Sequence, residues 1–163
     1  MQDDLAVVYP LKWFRNRTKS KKGPHISSGH LADLVYQRFQ PKRVIDLGAG
    51  TLAFANRMAE LGAESYGVEG SEFNEEFGDG AKFIAADLRE PFLPDLGKFD
   101  LVTSWDVFEH IPESSEPALI ETVLHLASDT VLLSIDSSSW GVGHVNCKPK
   151  GYWRSLFGNA GLE

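Results

Sequence analysis

The stretch Val44–Gly50, with the sequence VIDLGAG, constrains the fold of this chain more than any other segment. Its apolar residues are typical of a short buried strand, and Gly48 and Gly50 allow the backbone to turn tightly directly after that strand. The following residues 51–61 carry apolar side chains at helical spacing, and Gly62 is a typical helix terminator. The segment therefore predicts a strand, a glycine turn and a helix whose N-terminus faces the carboxyl end of the strand.

The rest of the chain alternates between strand-like and helix-like segments. We expect strands at Val44–Leu47, Ser65–Val68, Phe83–Ala86, Phe99–Thr103 and Thr130–Ile135. We expect helices from Ser27 or Ser28 to the residue before Pro41, and at Thr51–Leu61, Ser71–Phe77, Glu116–Ala127 and Lys150–Asn159. This order predicts an α/β fold: a three-layer, Rossmann-like, doubly wound and mainly parallel sheet that binds ligands at the carboxyl ends of its strands.

Length and composition restrict the class of protein. A chain of 163 residues with 42% apolar residues suits a single domain, which we place at residues 26–163. The absence of a long apolar run or a secretory signal leads us to expect a cytoplasmic protein without a membrane span. A single cysteine, Cys147, rules out an intrachain disulfide and a cysteine-cluster metal site.

The charges are distributed unevenly along the chain. Six of the 16 basic residues lie between Lys12 and Lys22, whereas 10 basic and 21 acidic residues follow from position 23 onward. An acidic body disfavours binding to nucleic acid. We expect residues 1–25 to form a basic N-terminal arm or lid; its charge suits a phosphate-bearing substrate or an anionic surface, and a solvated arm is the alternative.

Three acidic residues follow successive predicted strands and indicate a cofactor site. Gly48, Gly50 and Ala53 fit both a dinucleotide fingerprint and a nucleotide-like cofactor turn, so the glycines alone leave a nicotinamide-dependent oxidoreductase open. Asp46 favours a cationic ligand, because a pyrophosphate gains nothing from a nearby carboxylate. Glu69 is placed to bind ribose hydroxyls, and Asp87 to bind an adenine amino group. This charge pattern favours S-adenosylmethionine.

The successive segments VIDLGAG, YGVEGS, FIAADL, FDLVTSWDVFEHIP and TVLLSI resemble, in order, the motifs of class I S-adenosylmethionine-dependent methyltransferases. The resemblance covers about residues 26–163 and is strongest to the small-molecule and glycan methyltransferase group. It implies that Asp46, Gly48 and Gly50 contact the methionine part, Glu69 the ribose, and Asp87 with Leu88 the adenine. Ser104 and Trp105 would line the methyl-donor pocket, and Ala49 and Gly70 complete the expected cofactor-binding set.

The chain departs from this family in two places. Leu52 stands where many relatives have a third glycine. In addition, the family sheet usually ends with two further strands, which we expect to be missing here. We therefore expect either a naturally minimal domain or a C-terminal truncation.

Four residues after the fourth and fifth strands are candidates for catalysis: Asp106, Glu109, His110 and His144. Methyl transfer to a hydroxyl requires alignment of the acceptor and removal of a proton, which such residues supply. The complete motif series and the absence of nucleic-acid methyltransferase signatures lead us to expect O-methylation of a small-molecule or carbohydrate-like acceptor. No dedicated metal cluster is visible in the sequence, and no segment indicates an oligomeric state. The alternative is a module that binds S-adenosylmethionine without catalysing transfer.

Overall fold

The computed structural model describes residues 12, 15–16, 24–71 and 76–162. The described residues contain a parallel sheet, with strands β1 at Arg43–Leu47, β2 at Glu64–Glu69, β3 at Lys82–Ala85, β4 at Phe99–Trp105 and β5 at Ala127–Ser134. Four α-helices accompany them: α1 at Pro24–Phe39, α2 at Ala53–Glu60, α3 at Glu116–Leu126 and α4 at Lys150–Asn159. Two short 3-10 turns, Phe108–His110 and Glu113–Ser115, follow β4.

The sheet has the strand order β3-β2-β1-β4-β5, and all four pairings are parallel. Its order reverses at β1, with β2 on one side and β4 on the other, and such a reversal opens a crevice at the carboxyl ends of the strands. The fold class expected from the sequence is confirmed. Among residues 76–162 no strand follows β5, which pairs with β4 alone.

Alternation of side chains along each strand builds a core on both faces of the sheet. In β1, Val44 packs into a cluster with residues of α1 and α2, whereas Ile45 and Leu47 pack into a second cluster with residues of α3 and α4. Leu101 and Val102 of β4 divide between the same two clusters. This period of two is the expected signature of a strand, and it makes the domain three layers deep.

Several boundaries differ from the sequence-based expectation. Helix α1 begins at Pro24 rather than at a serine cap, since proline has no N–H to lose in a first turn. Strand β4 continues two residues further than predicted, to Trp105, and β5 begins directly where α3 ends, at Ala127. The expected helix at residues 71–77 lies largely outside the described residues, since 72–75 are not described. None of the described helices is long and apolar enough to cross a bilayer.

Candidate functional site

The turn after β1 leaves open space beside its backbone. Gly48 and Gly50 have φ angles of +76° and +54°, which favour glycine. The N–H groups of Gly48 and Ala49 both donate to the carbonyl of Val68, at 2.8 and 2.9 Å, and thereby fix the turn to β2. A side chain at position 48 would collide with Val107, whereas one at position 50 would meet nothing within 4 Å. The turn is therefore tightly held on one side and open at Gly50.

Leu52 occupies the place of the third glycine in a left-handed conformation, with φ of +57°. Its side chain is fully buried and lies where a side chain on Gly67 of β2 would have to be. The strain of a left-handed leucine, about 1 kcal/mol, is thus offset by burial of an apolar side chain, about 2 kcal/mol. The structure explains how the domain tolerates leucine here.

Asp46 lies within β1, one residue before its end, and is only 3% exposed. Its Oδ1 accepts a hydrogen bond of 2.7 Å from the Thr103 hydroxyl. Burial, together with repulsion from Glu69, raises the pKa of Asp46 to about 7. The folded protein therefore holds a carboxyl group whose charge is poorly compensated, and a nearby cation would stabilise its ionised form.

Glu69 ends β2 and turns its carboxylate onto the glycine turn. It accepts hydrogen bonds from the N–H groups of Gly50 and Gly70 at 2.9 Å, and a longer one from Ser71 at 3.4 Å. Burial raises the pKa of Glu69, while these backbone donors act in the opposite direction. Because a carboxylate offers about four acceptor positions, one remains for a further donor such as a ribose hydroxyl.

The residues expected at the adenine and methyl-donor positions have other contacts in the structure. The Asp87 carboxylate accepts hydrogen bonds from the Arg89 guanidinium at 2.6 and 2.9 Å, which lowers the pKa of Asp87. Leu88 is buried in the core. The Ser104 hydroxyl donates to the carbonyl of Leu47 and is 1% exposed.

Trp105 packs against Phe54 of α2, with ring centroids 5.2 Å apart. Its indole nitrogen is buried and finds no hydrogen-bond partner among the described residues. The roles of Asp87, Leu88, Ser104 and Trp105 toward a cofactor stay predictions.

The candidate catalytic residues converge at the carboxyl ends of β4 and β5. Glu109, His110 and His144 each offer one ligand atom, and these atoms lie within 4.8 Å of one another. The two imidazole rings meet edge to face, with centroids 4.7 Å apart. Asp106, directly after the end of β4, has a left-handed φ of +53°, and its carboxylate accepts a hydrogen bond from the Ser134 hydroxyl.

The loop that carries His144 is anchored by residues that the sequence analysis did not single out. The carbonyl of Glu109 accepts hydrogen bonds from the N–H groups of Val145 and Asn146 at 2.9 and 3.0 Å. Asn146 also donates its side-chain amide to the buried Glu116 at 2.9 Å. A buried glutamate in the first turn of a helix shows no periodicity in the sequence, so only the fold reveals that it holds this loop.

The sequence analysis expected no metal cluster, but the structure brings two histidines and a glutamate together. Metal-ligand spacing was absent from the sequence because His144 follows a different strand from Glu109 and His110. These three residues become neighbours only through the pairing of β4 with β5.

The basic N-terminal segment is described only at residues 12 and 15–16. The Arg15 guanidinium donates to both carboxylate oxygens of Glu76, at 2.8 and 2.7 Å. Glu76 belongs to the connection between β2 and β3. The remaining basic residues, Arg17, Lys19, Lys21 and Lys22, lie outside the described residues, and the arm or lid stays a prediction.

Comparisons with known proteins identify relatives of this arrangement. Residues 25–163 match the family model described as a methyltransferase domain. The chain is similar to a TehB-like SAM-dependent methyltransferase from Corynebacterium glutamicum, with a TM-score of 0.73 and 17% identity over 98% of this chain and 84% of that one. No curated protein matches the chain.

Two further solved structures share the fold. Magnesium protoporphyrin IX methyltransferase from Synechocystis, with bound SAH, has a TM-score of 0.72 and 20% identity over 96% of this chain and 87% of that one. A SAM-dependent methyltransferase from Archaeoglobus fulgidus has a TM-score of 0.70 and 18% identity over 87% and 71% of the two chains. The family model covers residues 25–163, which include the glycine turn and the carboxylates described above. The chain therefore belongs to the methyltransferase domain family, and the predicted class I S-adenosylmethionine-dependent enzyme is confirmed.

Proposed function

We propose that this enzyme transfers a methyl group from S-adenosylmethionine to a hydroxyl oxygen of a small-molecule or carbohydrate-like acceptor. The observation that carries the proposal is the group formed by Glu109, His110 and His144 beside the glycine turn. The group adjoins the turn because Val107 packs directly against Gly48. An acceptor held there would meet a titratable imidazole next to the cofactor site.

The residues of the first two loops fit the cofactor. Asp46 and Glu69 are two carboxyl groups in electrostatic contact, since Glu69 contributes to the raised pKa of Asp46. An ammonium or sulfonium group placed near them would relieve this repulsion. The open space beside Gly50 leaves room for the ligand to approach the protein backbone closely. Asp46 would hold the methionine part, and Glu69 the ribose.

When bound, S-adenosylmethionine supplies an electrophilic methyl group that forms a bond with the acceptor oxygen while its bond to sulfur breaks. The protein contributes alignment and a proton acceptor. The carbonyl of Ser138 can only accept, so the Nδ1 of His144, 2.7 Å away, donates to it and leaves Nε2 with a lone pair. His144 can therefore take the acceptor proton at Nε2. Glu109, which interacts favourably with protonated His144, would stabilise the resulting imidazolium.

A turnover assay tests this function. We would measure formation of S-adenosylhomocysteine from S-adenosylmethionine with a panel of phenols, catechols, monosaccharides and aliphatic amines. We expect hydroxyl acceptors to accelerate product formation over the background and amines to have no effect. In His144→Asn, kcat should fall about 100-fold, in the range typical for loss of an acid–base group, while the Kd for S-adenosylhomocysteine stays unchanged.

The matched control is His125→Asn, because His125, on α3, is also half-buried but contacts the carbonyl of Pro94 in the loop before β4. This variant should retain the wild-type kcat. Methylation of amines alone would refute the proposed acceptor class. Equal losses of kcat in both histidine variants would show that His144 has no special role, and binding of the cofactor without turnover on any acceptor would favour a non-catalytic module.

We also propose that the basic arm closes over the acceptor site. The supporting contact is the pair between Arg15 and Glu76, which ties the arm to the loop after β2. Deleting residues 1–22 should raise the KM for the best acceptor of the panel and leave the Kd for S-adenosylhomocysteine unchanged. Unchanged KM in the shortened protein would contradict a role of the arm in acceptor binding.

A further inference from the structure

The group Glu109, His110 and His144 contains the donor set of a metal site. We propose that these three side chains bind one divalent transition-metal ion of the zinc, cobalt or iron(II) class. Two imidazoles and one carboxylate suit such ions, whereas magnesium and calcium prefer oxygen ligands throughout. The three ligand atoms lie within 4.8 Å of one another. Metal–ligand bonds of about 2.1 Å place ligand atoms about 3.4 Å apart in a tetrahedral site, so small side-chain rotations would close the group around an ion.

Glu109 supplies the strongest indication that something binds here. Its side chain is fully buried, and its Oε1 accepts a hydrogen bond of 3.2 Å from the N–H of Asp136. Its Oε2 is also buried and finds no hydrogen-bond partner among the described residues. An unsatisfied buried carboxylate oxygen is costly, and its cost is removed if a cation coordinates it.

His144 is arranged as metal-binding histidines commonly are. Its Nδ1 donates to the carbonyl of Ser138 at 2.7 Å, which fixes the ring and leaves the lone pair of Nε2 available. The ring occupies space that a side chain at Gly141 would fill. The backbone of Glu109 holds the His144 loop through Val145 and Asn146, so the carboxylate and this imidazole are positioned by a shared set of hydrogen bonds.

Negative charge surrounds the group and favours a cation. Asp106 lies close enough to Glu109 to contribute to the raised pKa of Glu109. The carboxylate of Asp136 interacts electrostatically with both His110 and His144. Three protein ligands leave at least one coordination position for an exogenous oxygen, as in catalytic metal sites.

The ion would also refine the proposed function, and this step rests on that function. An acceptor hydroxyl bound at the open position would become more acidic and release its proton to solvent. Its oxygen lone pair would then form the bond to the methyl carbon while the carbon–sulfur electron pair stays on sulfur. With the ion bound, the two imidazoles are ligands, and the ion rather than His144 activates the hydroxyl. The acceptor would then be one with oxygen donors suited to a metal, such as a catechol or a vicinal diol.

Cobalt and zinc titrations test the site directly. The full chain, dialysed against a chelator, would be titrated with Co²⁺ under visible absorption and with Zn²⁺ in a calorimeter. We expect one ion per chain, micromolar or tighter affinity, and absorption bands of nitrogen- and oxygen-bound Co²⁺. Addition of catechol as an oxygen-donor probe should shift these bands if a coordination position is open.

Three variants assign the ligands, and two further variants serve as controls. His110→Asn, His144→Asn and Glu109→Gln should each weaken Zn²⁺ binding at least tenfold. His125→Asn and Cys147→Ser should bind like the wild type; Cys147 is a strict control, since its thiol also contacts the carbonyl of Ser138. If Glu109→Gln does not fold, the two histidine variants decide the matter alone.

Three results would overturn the proposal: no binding below millimolar ion, binding that survives in both His110→Asn and His144→Asn, or a thiolate absorption band lost in Cys147→Ser. Binding of S-adenosylhomocysteine to the metal-free protein is measured as well, because it shows that the cofactor site is intact when the metal site is tested. Failure of the metal site and failure of the proposed function can then be told apart. If the ion does not bind but methyl transfer to hydroxyls proceeds, the proposed function stands and the metal site is wrong. If the ion binds but hydroxyls are not methylated, the reverse holds.

Discussion

Replacing Asp46 with asparagine tests the electrostatic basis of the cofactor site. Asp46 is buried and accepts one hydrogen bond from Thr103, which asparagine can also accept through its amide oxygen. The substitution therefore keeps the shape of the side chain and removes its ionisation. Because the pKa of Asp46 is raised in the folded protein, the wild type should lose stability as pH rises, whereas Asp46→Asn should not show this loss.

The magnitude follows from the shift of the Asp46 pKa from 3.8 to about 7. Below pH 4 both the folded and unfolded forms carry the proton, and the full stability is present. Between pH 4 and 7 the Asp46 proton is released from the unfolded chain only, which lowers the free energy of unfolding as pH rises. Above pH 7 the folded protein releases the proton as well, and the loss of stability no longer grows. At about 1.4 kcal/mol per pKa unit, the free energy of unfolding of the wild type relative to the variant should fall by roughly 3 kcal/mol between pH 5 and 8.

Urea unfolding at pH 5, 6, 7 and 8, followed by circular dichroism, measures this difference. Asp129→Asn serves as the control, because it makes the same change at an aspartate that is exposed on β5. Parallel stability curves for the wild type and Asp46→Asn would show that the Asp46 carboxyl ionises normally in the fold. The reasoning about its burial would then be wrong.

Cofactor binding should show the reverse pH dependence. If S-adenosylmethionine requires ionised Asp46, its Kd for the wild type should rise about tenfold per unit as pH falls from 7 to 5, because the ionised fraction falls by that factor. In Asp46→Asn the Kd at pH 7 should be about 10- to 100-fold higher, as expected for loss of a charge-assisted hydrogen bond. Calorimetry at each pH gives both values, and an unchanged Kd in the variant would exclude a contact with the cofactor.

Two further predictions concern the scaffold. Gly67→Ala should destabilise the protein by about 1–3 kcal/mol, because the added methyl group overlaps the buried Leu52 side chain. When Leu52→Ala is already present, Gly67→Ala should lower the free energy of unfolding by at least about 1 kcal/mol less than it does in the wild type. If the effects of the two substitutions simply add in urea unfolding, the contact between the two residues is contradicted. In the wild type, the Tyr152 hydroxyl donates a hydrogen bond of 2.6 Å to the buried Glu116, and this bond raises the pKa of Tyr152 to about 12. The substitution Tyr152→Phe removes this bond. Tyr152→Phe should lower the free energy of unfolding, and an unchanged urea midpoint would argue against this role.

Local sequence patterns were sufficient to predict the sheet and the edge at which the carboxyl ends of its strands meet. Short apolar strands separated by amphipathic helices permit few arrangements, and parallel pairing collects all carboxyl ends on one edge. The positions of Asp46 and Glu69 at this edge were predicted in this way, because each lies at or beside the end of its strand; their contacts with a cofactor stay a prediction. The starting point of α1 was missed since proline at Pro24 reads as a breaker, although it fits the first turn of a helix.

The contacts of individual side chains could not be predicted in the same way. Asp87 follows β3 as expected, but whether its carboxylate meets a ligand or Arg89 depends on side-chain rotamers, which no spacing encodes. Likewise, the proximity of His110 and His144 depends on the path of a loop fixed by Asn146 and Glu116. Patterns of hydrophobicity specify secondary structure, whereas such polar contacts arise only after the chain has packed.

The two poorly compensated carboxyl groups at the ligand edge make the stability of this domain depend on what binds there. Asp46 is buried beside Glu69, and the buried Glu109 keeps one oxygen without a partner among the described residues. Each group accepts a hydrogen bond from the protein, but a buried carboxyl group without a paired counter-charge still costs free energy. A cationic cofactor at the first and a metal ion at the second would each bind the native state selectively. Ligand at about 100 times its Kd should therefore stabilise the fold by about 2.7 kcal/mol, and the two effects should add if the sites are independent.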